Sequence, residues 1–165
     1  MAKDSSFDVV SQVDIQEVDN AYQQTARELS QRYDLKGSGA SIDFAKSDRV
    51  ITVVAPADFV AKQVIDILNT KLIKRGIDIK SLSWDDPQSA SGGTVKVVGR
   101  IIEGIDQPTA KKINKDVKDL KLKVKITIEA DKLRVSSASK DALQQVIAFL
   151  RDKDYGQPLQ FTNYR

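Results

Sequence analysis

The chain has 165 residues, of which 41% are hydrophobic and 30% are charged, a composition typical of a soluble globular protein. It contains no histidine and no cysteine, which excludes Cys–His and Ser–His nucleophiles, disulfides, and the usual zinc and haem ligands. The sequence indicates no cofactor and no metal site. Because it also lacks a signal-peptide pattern and any apolar run near the roughly 20 residues that span a bilayer, we expect a cytoplasmic protein with no membrane partner.

Charge is distributed unevenly along the chain. Residues 1–93 contain 11 Lys+Arg and 14 Asp+Glu, a net −3, whereas residues 94–165 contain 15 and 9, a net +6. This asymmetry predicts an anionic partner for the C-terminal half. Polar, turn-forming residues at 85–93 separate the halves, so we predict two units, residues 1–84 and 94–165, joined by an irregular linker.

The first unit has the pattern β-α-β-β-α-β. Residues 7–13 alternate as a strand does, and Asp14 and Glu17 then match a capping box, in which each side chain hydrogen-bonds the backbone N–H of the other. The helix that follows has an apolar stripe at steps of three and four: Ile15, Val18, Tyr22, Ala26, Leu29 and Tyr33. Further strands are predicted at residues 41–45, 49–55 and 77–84, and before the last of them we predict a helix that Asp58 caps and Gly76 ends.

The second unit repeats this pattern. Its predicted helices begin at Asp106 and Ser139, and its predicted strands are residues 94–102, 121–129, 132–136 and 159–164. Within residues 121–129, lysines alternate with apolar residues, which is typical of a half-buried strand. Two successive β-α-β-β-α-β units indicate an α+β fold, a tandem of two ferredoxin-like domains in which each antiparallel sheet is backed by two helices.

The open face of such a sheet binds RNA in RNA-recognition modules, where aromatic side chains on the central strands stack on bases. The third strand of each unit, residues 49–55 and 132–136, has no aromatic residue, which disfavours that mode of binding. Most aromatic side chains are expected to fill the two cores. Trp84 and Tyr164, which lie near strand ends beside polar residues, are the expected exceptions.

Six lysines form the main candidate binding surface. Three lie on one face of the third predicted helix and three on one face of the strand after it: Lys111, Lys115 and Lys118, then Lys121, Lys123 and Lys125. Such a patch can hold a polyanion through counterion release, whereas most lysine runs are simply solvated surfaces. The sequence leaves both interpretations open.

Short motifs along nearly the whole chain give it a resemblance to a known family. They are SFDVVS at residues 6–11, RYDLKG at 32–37, KRGID at 74–78, ASGG at 90–93, GID at 104–106, AKKI at 110–113, KLKV at 121–124 and PLQFTNYR at 158–165. In this order and spacing, they make the chain resemble the YajQ family of bacterial nucleotide-binding proteins.

The resemblance implies two ferredoxin-like domains that exchange their N-terminal strands. The strand at Phe7 would join the C-terminal domain and the strand at Val95 the first domain, although the hydrophobic periodicity fits an unexchanged tandem equally well. It also implies nucleotide ligands, either RNA, such as tRNA or rRNA, or cyclic di-GMP, and no catalytic activity. One departure is that residues 136–142 contain a single cation, Lys140, where family members typically have a segment of the type Gly-Lys-Lys-Arg-Asp-Asp.

Two functions follow as hypotheses, neither of them enzymatic, because no set of residues matches a catalytic site. The first is a nucleotide-binding or RNA-binding protein that uses basic and aromatic side chains: Arg32, Tyr33, Lys36, Trp84, Lys111, Lys115, Lys118, Lys121, Lys123, Lys125, Arg134 and Arg165. We expect the first three of these at a surface cleft. The alternative is an interaction or regulatory module that binds a protein partner and no nucleic acid.

Overall fold

The computed structural model describes residues 4–165, which form nine β-strands and four α-helices. The helices are α1 (Ile15–Gln31), α2 (Asp58–Lys74), α3 (Gln107–Lys118) and α4 (Lys140–Asp152). The strands are β1 (Ser5–Val10), β2 (Ser41–Ala45), β3 (Val50–Ala55), β4 (Leu82–Trp84), β5 (Gln88–Ser89), β6 (Val95–Ile101), β7 (Lys125–Glu129), β8 (Lys132–Ser137) and β9 (Gln160–Thr162). None of these helices has an apolar stretch that could span a bilayer.

The strands form two antiparallel sheets. One has the order β7-β8-β1-β9, and the other has the order β2-β3-β6-β4, with the short β5 also paired to β6. Strand β1 therefore lies between β8 and β9, and β6 lies between β3 and β4. The combination of antiparallel sheets with helices confirms the predicted α+β class.

Strand pairing divides the chain into two compact units. The C-terminal unit contains residues 1–12 and 103–165, and the central unit contains residues 13–102. The sequence places the boundary at residues 85–93 instead. The structure differs because β6 pairs along its length with β3, which draws the segment before β6 into the central unit.

Residues 85–93 are not the irregular linker expected from their composition. They contain β5, which pairs with β6, and a single 3₁₀ turn at Ser91–Gly93. The backbone N–H of Ala90 donates to the carbonyl of Thr94 at 2.8 Å. Polar residues are compatible with strand pairing at a sheet surface, so their composition alone did not distinguish a linker from this structure.

Side-chain caps explain where three of the four helices begin. The exception is α2, which follows Ala57 without a side-chain cap, so the predicted cap at Asp58 is wrong and Asp58 lies in the first turn instead. The side chains of Asp14, Asp106 and Ser139 accept hydrogen bonds from backbone N–H groups three residues later, as predicted at each of the three positions. The capping box at α1 is only half formed. The carboxylate of Glu17 lies 3.4 Å from Arg75 of the same unit, and it bonds this guanidinium instead of the Asp14 backbone.

Each unit buries its own hydrophobic core. The core of the central unit lies between α1 and α2 on one side and the inner face of its sheet on the other, where Ile51, Val53 and Val97 are buried. In the C-terminal unit, α3 and α4 cover the inner face of the other sheet, and the side chains of Phe7 and Val9 of β1 are fully enclosed.

The predicted strand at residues 121–129 is shorter in the structure. Only Lys125–Glu129 pairs with β8, because α3 ends in tight turns and Lys121 adopts a left-handed backbone with φ of +57°. Lys121 and Lys123 therefore lie in the connection before β7, and the predicted strand face with Lys125 is wrong for these two residues. All three side chains are nevertheless exposed.

The outer face of the C-terminal sheet contains a buried carboxylate. Asp8 is only 3% exposed, and its oxygens accept hydrogen bonds from Arg134 at 3.2 Å and from Asn163 at 2.9 Å, with Lys132 at 3.5 Å. Burial alone would raise the pKa of Asp8, but these hydrogen bonds and the two nearby cations outweigh it and lower the pKa. Asp8 therefore links β1 to β8 and to the chain after β9.

The pKa of Asp8 predicts a loss of stability in acid. A folded-state pKa below the usual 3.8 means that the ionised Asp8 stabilises the fold above that pH, and that this contribution disappears as the pH falls through the folded-state value. We expect Asp8→Asn to lower the unfolding free energy at pH 7 by about 1–3 kcal/mol. Urea unfolding of the wild type and the variant at pH 7 and pH 3 measures this free energy.

The difference between the wild type and Asp8→Asn should shrink from pH 7 to pH 3, because the carboxyl of the unfolded wild-type chain binds a proton below its ordinary pKa of 3.8 and folding must then release that proton. Asp43→Asn, at an exposed position on β2 of the central unit, is the matched control and should change stability little. An equal deficit for Asp8→Asn at both pH values would contradict the role of the ionised carboxylate.

A close approach between Trp84 and Gly99 predicts a second stability effect. The two residues are paired between β4 and β6, and a Cβ atom at Gly99 would lie 2.7 Å from carbons of the indole ring. We expect Gly99→Ala to destabilise the central unit by about 1–3 kcal/mol through overpacking. In a Trp84→Leu background the same substitution should cost less, and thermal unfolding of the four proteins measures the coupling. Equal costs in both backgrounds would exclude the ring as the cause.

Candidate functional site

The predicted site residues after α1 do not form one cluster. The Tyr33 side chain is 98% exposed, and Lys36 is also exposed. The Arg32 guanidinium lies 3.5 Å from Glu28 and 2.8 Å from Asp34. Arg32 lines a surface cleft that Tyr33 and Lys36 do not line, so the structure does not bring the three side chains together there.

The cleft at Arg32 lies between α1 and α2, and its charges are balanced. It has a volume of about 340 Å³ and is lined by Glu28, Arg32, Gln63, Asp66, Ile67, Thr70 and Lys71. A hydrogen bond from Lys71, together with the charges of Lys71 and Arg32, lowers the pKa of Glu28 although partial burial opposes it. The two cations therefore face two carboxylates, an arrangement that does not favour an anionic ligand.

Trp84 is half-buried against the core of the central unit and covers Gly99. Its ring therefore has a structural role, which leaves only its exposed part for contact with a ligand. Arg134 is similarly engaged, because its guanidinium contacts Asp8 at 3.2 Å and Glu129 at 3.5 Å. These contacts compensate the charge of Arg134 within the protein.

The six predicted lysines lie on exposed surfaces of the C-terminal unit. Lys111, Lys115 and Lys118 lie on α3, on the side opposite its buried residues. Lys121 and Lys123 lie in the connection after α3, and Lys125 is the first residue of the edge strand β7. We call these six residues the lysine surface.

Grouping charges by compact unit weakens the asymmetry seen in the sequence. The C-terminal unit has 14 Lys+Arg and 11 Asp+Glu, a net +3, and the central unit has 12 of each, a net zero. The contrast of +6 with −3 is reduced because the acidic β1 segment belongs to the C-terminal unit, whereas Lys96 and Arg100 of β6 belong to the central one. The positive charge still lies in the unit that carries the lysine surface.

A second cleft lies at the start of α3. It measures about 430 Å³ and is lined by Pro108, Thr109, Lys112, Asp154, Tyr155 and Gly156. The Tyr155 hydroxyl donates a 2.8 Å hydrogen bond to Asp116, and burial together with this carboxylate raises the pKa of Tyr155. One cation and one carboxylate line this cleft, so it has no excess of positive charge.

A third cleft combines an exposed aromatic ring with two cations. It measures about 340 Å³ and is formed within the C-terminal unit by the start of β1, the first turns of α4 and the end of the chain: Ser5, Ser6, Phe7, Lys140, Leu143, Gln144, Ile147, Tyr164 and Arg165. We call it the Tyr164 cleft. Among residues 4–165, no acidic side chain lines it.

Backbone pairing holds the ring of the Tyr164 cleft in place. The N–H of Ser6 donates to the backbone oxygen of Arg165 at 3.1 Å, and the N–H of Arg165 donates to the carbonyl of Ser6 at 2.9 Å. The ring of Tyr164 lies 6.1 Å from that of Phe7, between centroids, and Tyr164 remains 60% exposed. The cleft therefore presents an anchored aromatic surface to solvent.

The cleft also has an apolar floor and a polar rim. The side chains of Phe7, Leu143 and Ile147 are buried beneath it, whereas Lys140 and Gln144 are exposed on α4. An aromatic face, apolar carbon and cations within one concave surface suit a planar ligand that carries negative charge.

The sequence anticipated only part of this site. Arg165 is the one predicted site residue that lines the Tyr164 cleft, and Tyr164 is exposed as expected. Lys140 was noted only as the remaining cation of residues 136–142, and Gln144 was missed. The pairing of Ser6 with Arg165 brings these segments together. The two residues lie near opposite ends of the sequence, and no local pattern predicts that they are in contact.

Comparisons with known proteins agree with the resemblance noted in the sequence. A family model described as "Nucleotide-binding protein YajQ-like" matches residues 5–165. Relatives from Alkaliphilus oremlandii, Chloroherpeton thalassium and Desulfitobacterium hafniense, each named "Nucleotide-binding protein", are 47% identical to this chain over 165 residues, with full coverage of both chains. The chain therefore belongs to the YajQ-like family.

Proposed function

We propose that this protein is a non-catalytic nucleotide-binding protein and that the Tyr164 cleft is its binding site. The observation that carries the proposal is the lining of this cleft, which has two cations, an exposed tyrosine and no acidic side chain. The other two clefts described above have equal numbers of cationic and acidic side chains. The names of the relatives support nucleotide binding as the function.

The Tyr164 ring is the proposed contact for the base. A base that stacks on an exposed aromatic ring loses contact with water on one face, and each such contact contributes about 1–3 kcal/mol to binding. Stacking does not depend on the identity of the base, because every base has a π face. The apolar side chains beneath the ring add a dry surface for the sugar or the base edge.

The cations are the proposed contacts for phosphate. Arg165 offers a planar guanidinium that can donate two parallel hydrogen bonds, and Lys140 offers a flexible ammonium group. Both side chains are exposed, and both lie at the rim of the cleft. A phosphate between them would make charge-assisted hydrogen bonds, which are stronger than those between neutral groups.

We further infer that the two units are ferredoxin-like domains that exchange their first strands. The pairing of β1 with β8 and β9, and of β6 with β3 and β4, supports this inference. The exchange would have a functional consequence, because β1 contributes Ser5, Ser6 and Phe7 to the Tyr164 cleft.

The lysine surface is the proposed site for the backbone of a longer RNA, such as tRNA or rRNA. Lysines neutralise phosphates and release counterions without reading the base sequence.

The alternative, a protein partner, is favoured by exposed apolar side chains of the central unit, Phe59 and Ile73 on α2. Direct binding measurements with nucleotides and RNA distinguish the two hypotheses.

We predict that Tyr164→Ala weakens binding of a single-stranded RNA oligonucleotide about 5- to 150-fold, the equivalent of one lost stacking contact. Tyr164→Phe should retain most of the affinity, because it keeps the aromatic ring. Fluorescence anisotropy with a labelled oligonucleotide measures both.

Phe59→Ala is the matched control, because it removes an exposed aromatic ring of the central unit that does not line the cleft and should leave the affinity unchanged. Unchanged circular dichroism would show that the variants remain folded. If Tyr164→Ala binds RNA as tightly as the wild type does, the Tyr164 cleft is excluded as a contact for RNA.

We also predict that RNA binding depends on salt through the lysine surface. For single strands the log–log slope is roughly −0.7 per neutralised phosphate, so three or four contacts give about −2 to −3. Replacing Lys121, Lys123 and Lys125 together by alanine should weaken RNAs of unrelated sequence equally and make the slope less steep. Titrations at several salt concentrations test this, and an unchanged slope in the triple variant would remove these lysines from the interface.

A further inference from the structure

We infer that the Tyr164 cleft accepts a single nucleotide unit with one terminal phosphate, such as a nucleoside monophosphate or the phosphorylated end of a strand, and not a cyclic dinucleotide. The inference rests on the proposed function and specifies the ligand of the same site. Three properties of the cleft support it: its volume, its number of exposed aromatic rings and its charge.

The volume of the cleft fits a small ligand. About 340 Å³ lies near the lower end of the range for ligand pockets, which is roughly 300 to 1,000 Å³. The cleft is bounded by the start of α4 on one side and by the paired Ser6 and Arg165 on another. A second base would have to lie outside these boundaries.

The cleft offers one ring for stacking. Two aromatic side chains line it, but Phe7 is 0% exposed and lies in the core beneath, whereas Tyr164 is 60% exposed. A cyclic dinucleotide presents two bases, of which one would remain without an aromatic partner here. One exposed ring therefore matches one base.

The charge of the cleft matches one terminal phosphate. The side chains of Lys140 and Arg165 supply two positive charges, which a phosphate monoester of about −1.5 to −2 near pH 7 balances at a single group, whereas a cyclic dinucleotide divides its charge of about −2 between two separate diesters. The turn before α4 offers no further cation. Two of its hydroxyls already form hydrogen bonds within the protein, since Ser137 donates to the carbonyl of Lys123 at 2.6 Å and Ser139 accepts from the N–H of Ala142 at 3.2 Å.

Isothermal titration calorimetry with the full chain tests the inference. The probes are AMP, UMP, adenosine, ribose 5-phosphate, GMP and cyclic di-GMP. We expect one site per chain, similar affinities for AMP and UMP, and affinities at least about 5-fold weaker for adenosine and for ribose 5-phosphate, which each lack one of the two contacts. Cyclic di-GMP should bind no more tightly than GMP.

Variants assign each contact to a residue. Tyr164→Ala should reduce the affinity for AMP to that for ribose 5-phosphate, whereas Lys140→Gln with Arg165→Gln should reduce it to that for adenosine. Tyr164→Phe should bind AMP nearly as well as the wild type, and Phe59→Ala, which removes an exposed aromatic ring outside the cleft, should bind it equally well. Tyr164, Lys140 and Arg165 are exposed, so we expect these variants to fold as the wild type does. Circular dichroism checks that a loss of affinity does not come from a loss of folding.

The outcomes separate this inference from the proposed function. Cyclic di-GMP binding about 10-fold or more tightly than GMP, in a manner that Tyr164→Ala abolishes, would overturn the single-unit inference and retain the cleft as a nucleotide site. If RNA binding requires Tyr164 but AMP does not bind, the single-unit inference is likewise overturned and the cleft is retained as a nucleotide site. If the cleft variants change the affinity for neither RNA nor any mononucleotide, the single-unit inference and the proposed function of the cleft are both overturned.

Discussion

The C-terminal unit depends on the position of β1 between β8 and β9. Successive side chains of this strand point to opposite faces of the sheet, so the strand contributes to two surfaces. Phe7 and Val9 fill the core beneath α3 and α4, whereas Asp8 lies on the outer face among Arg134, Lys132 and Asn163. Antiparallel pairing on both sides satisfies the backbone of β1, so a segment from the beginning of the chain completes a sheet made otherwise from its last third.

This arrangement also decides which cations are free to meet a ligand. The buried Asp8 requires compensation, and it takes Arg134 and Lys132 from the outer face of the sheet. Lys140 and Arg165 lie near the start of β1, in a cleft that no acidic side chain of the described residues lines. The same strand therefore separates a neutralised cluster that stabilises the fold from a cationic surface that is available for binding.

Local chemistry made much of the fold predictable from the sequence. Helix starts followed from caps at Asp14, Asp106 and Ser139, and strand positions followed from alternating side chains. The pairing of strands did not follow, because alternation within β1 is equally compatible with neighbours from either half. The loss of strand at Lys121 was likewise invisible, since lysine rarely adopts a positive φ and only the turn after α3 imposes it.

Non-local pairing also explains why the candidate site was harder to predict than the fold. The lysine surface is a run of neighbours in the sequence, and so it was recognised, whereas the Tyr164 cleft joins three segments that meet only when Ser6 pairs with Arg165. That pair connects the site to the fold, because the ring that would contact a base is fixed to the strand that completes the core. A ligand that binds the cleft only when β1 is in place would therefore stabilise the folded C-terminal unit, by about 2.7 kcal/mol at a ligand concentration 100 times Kd.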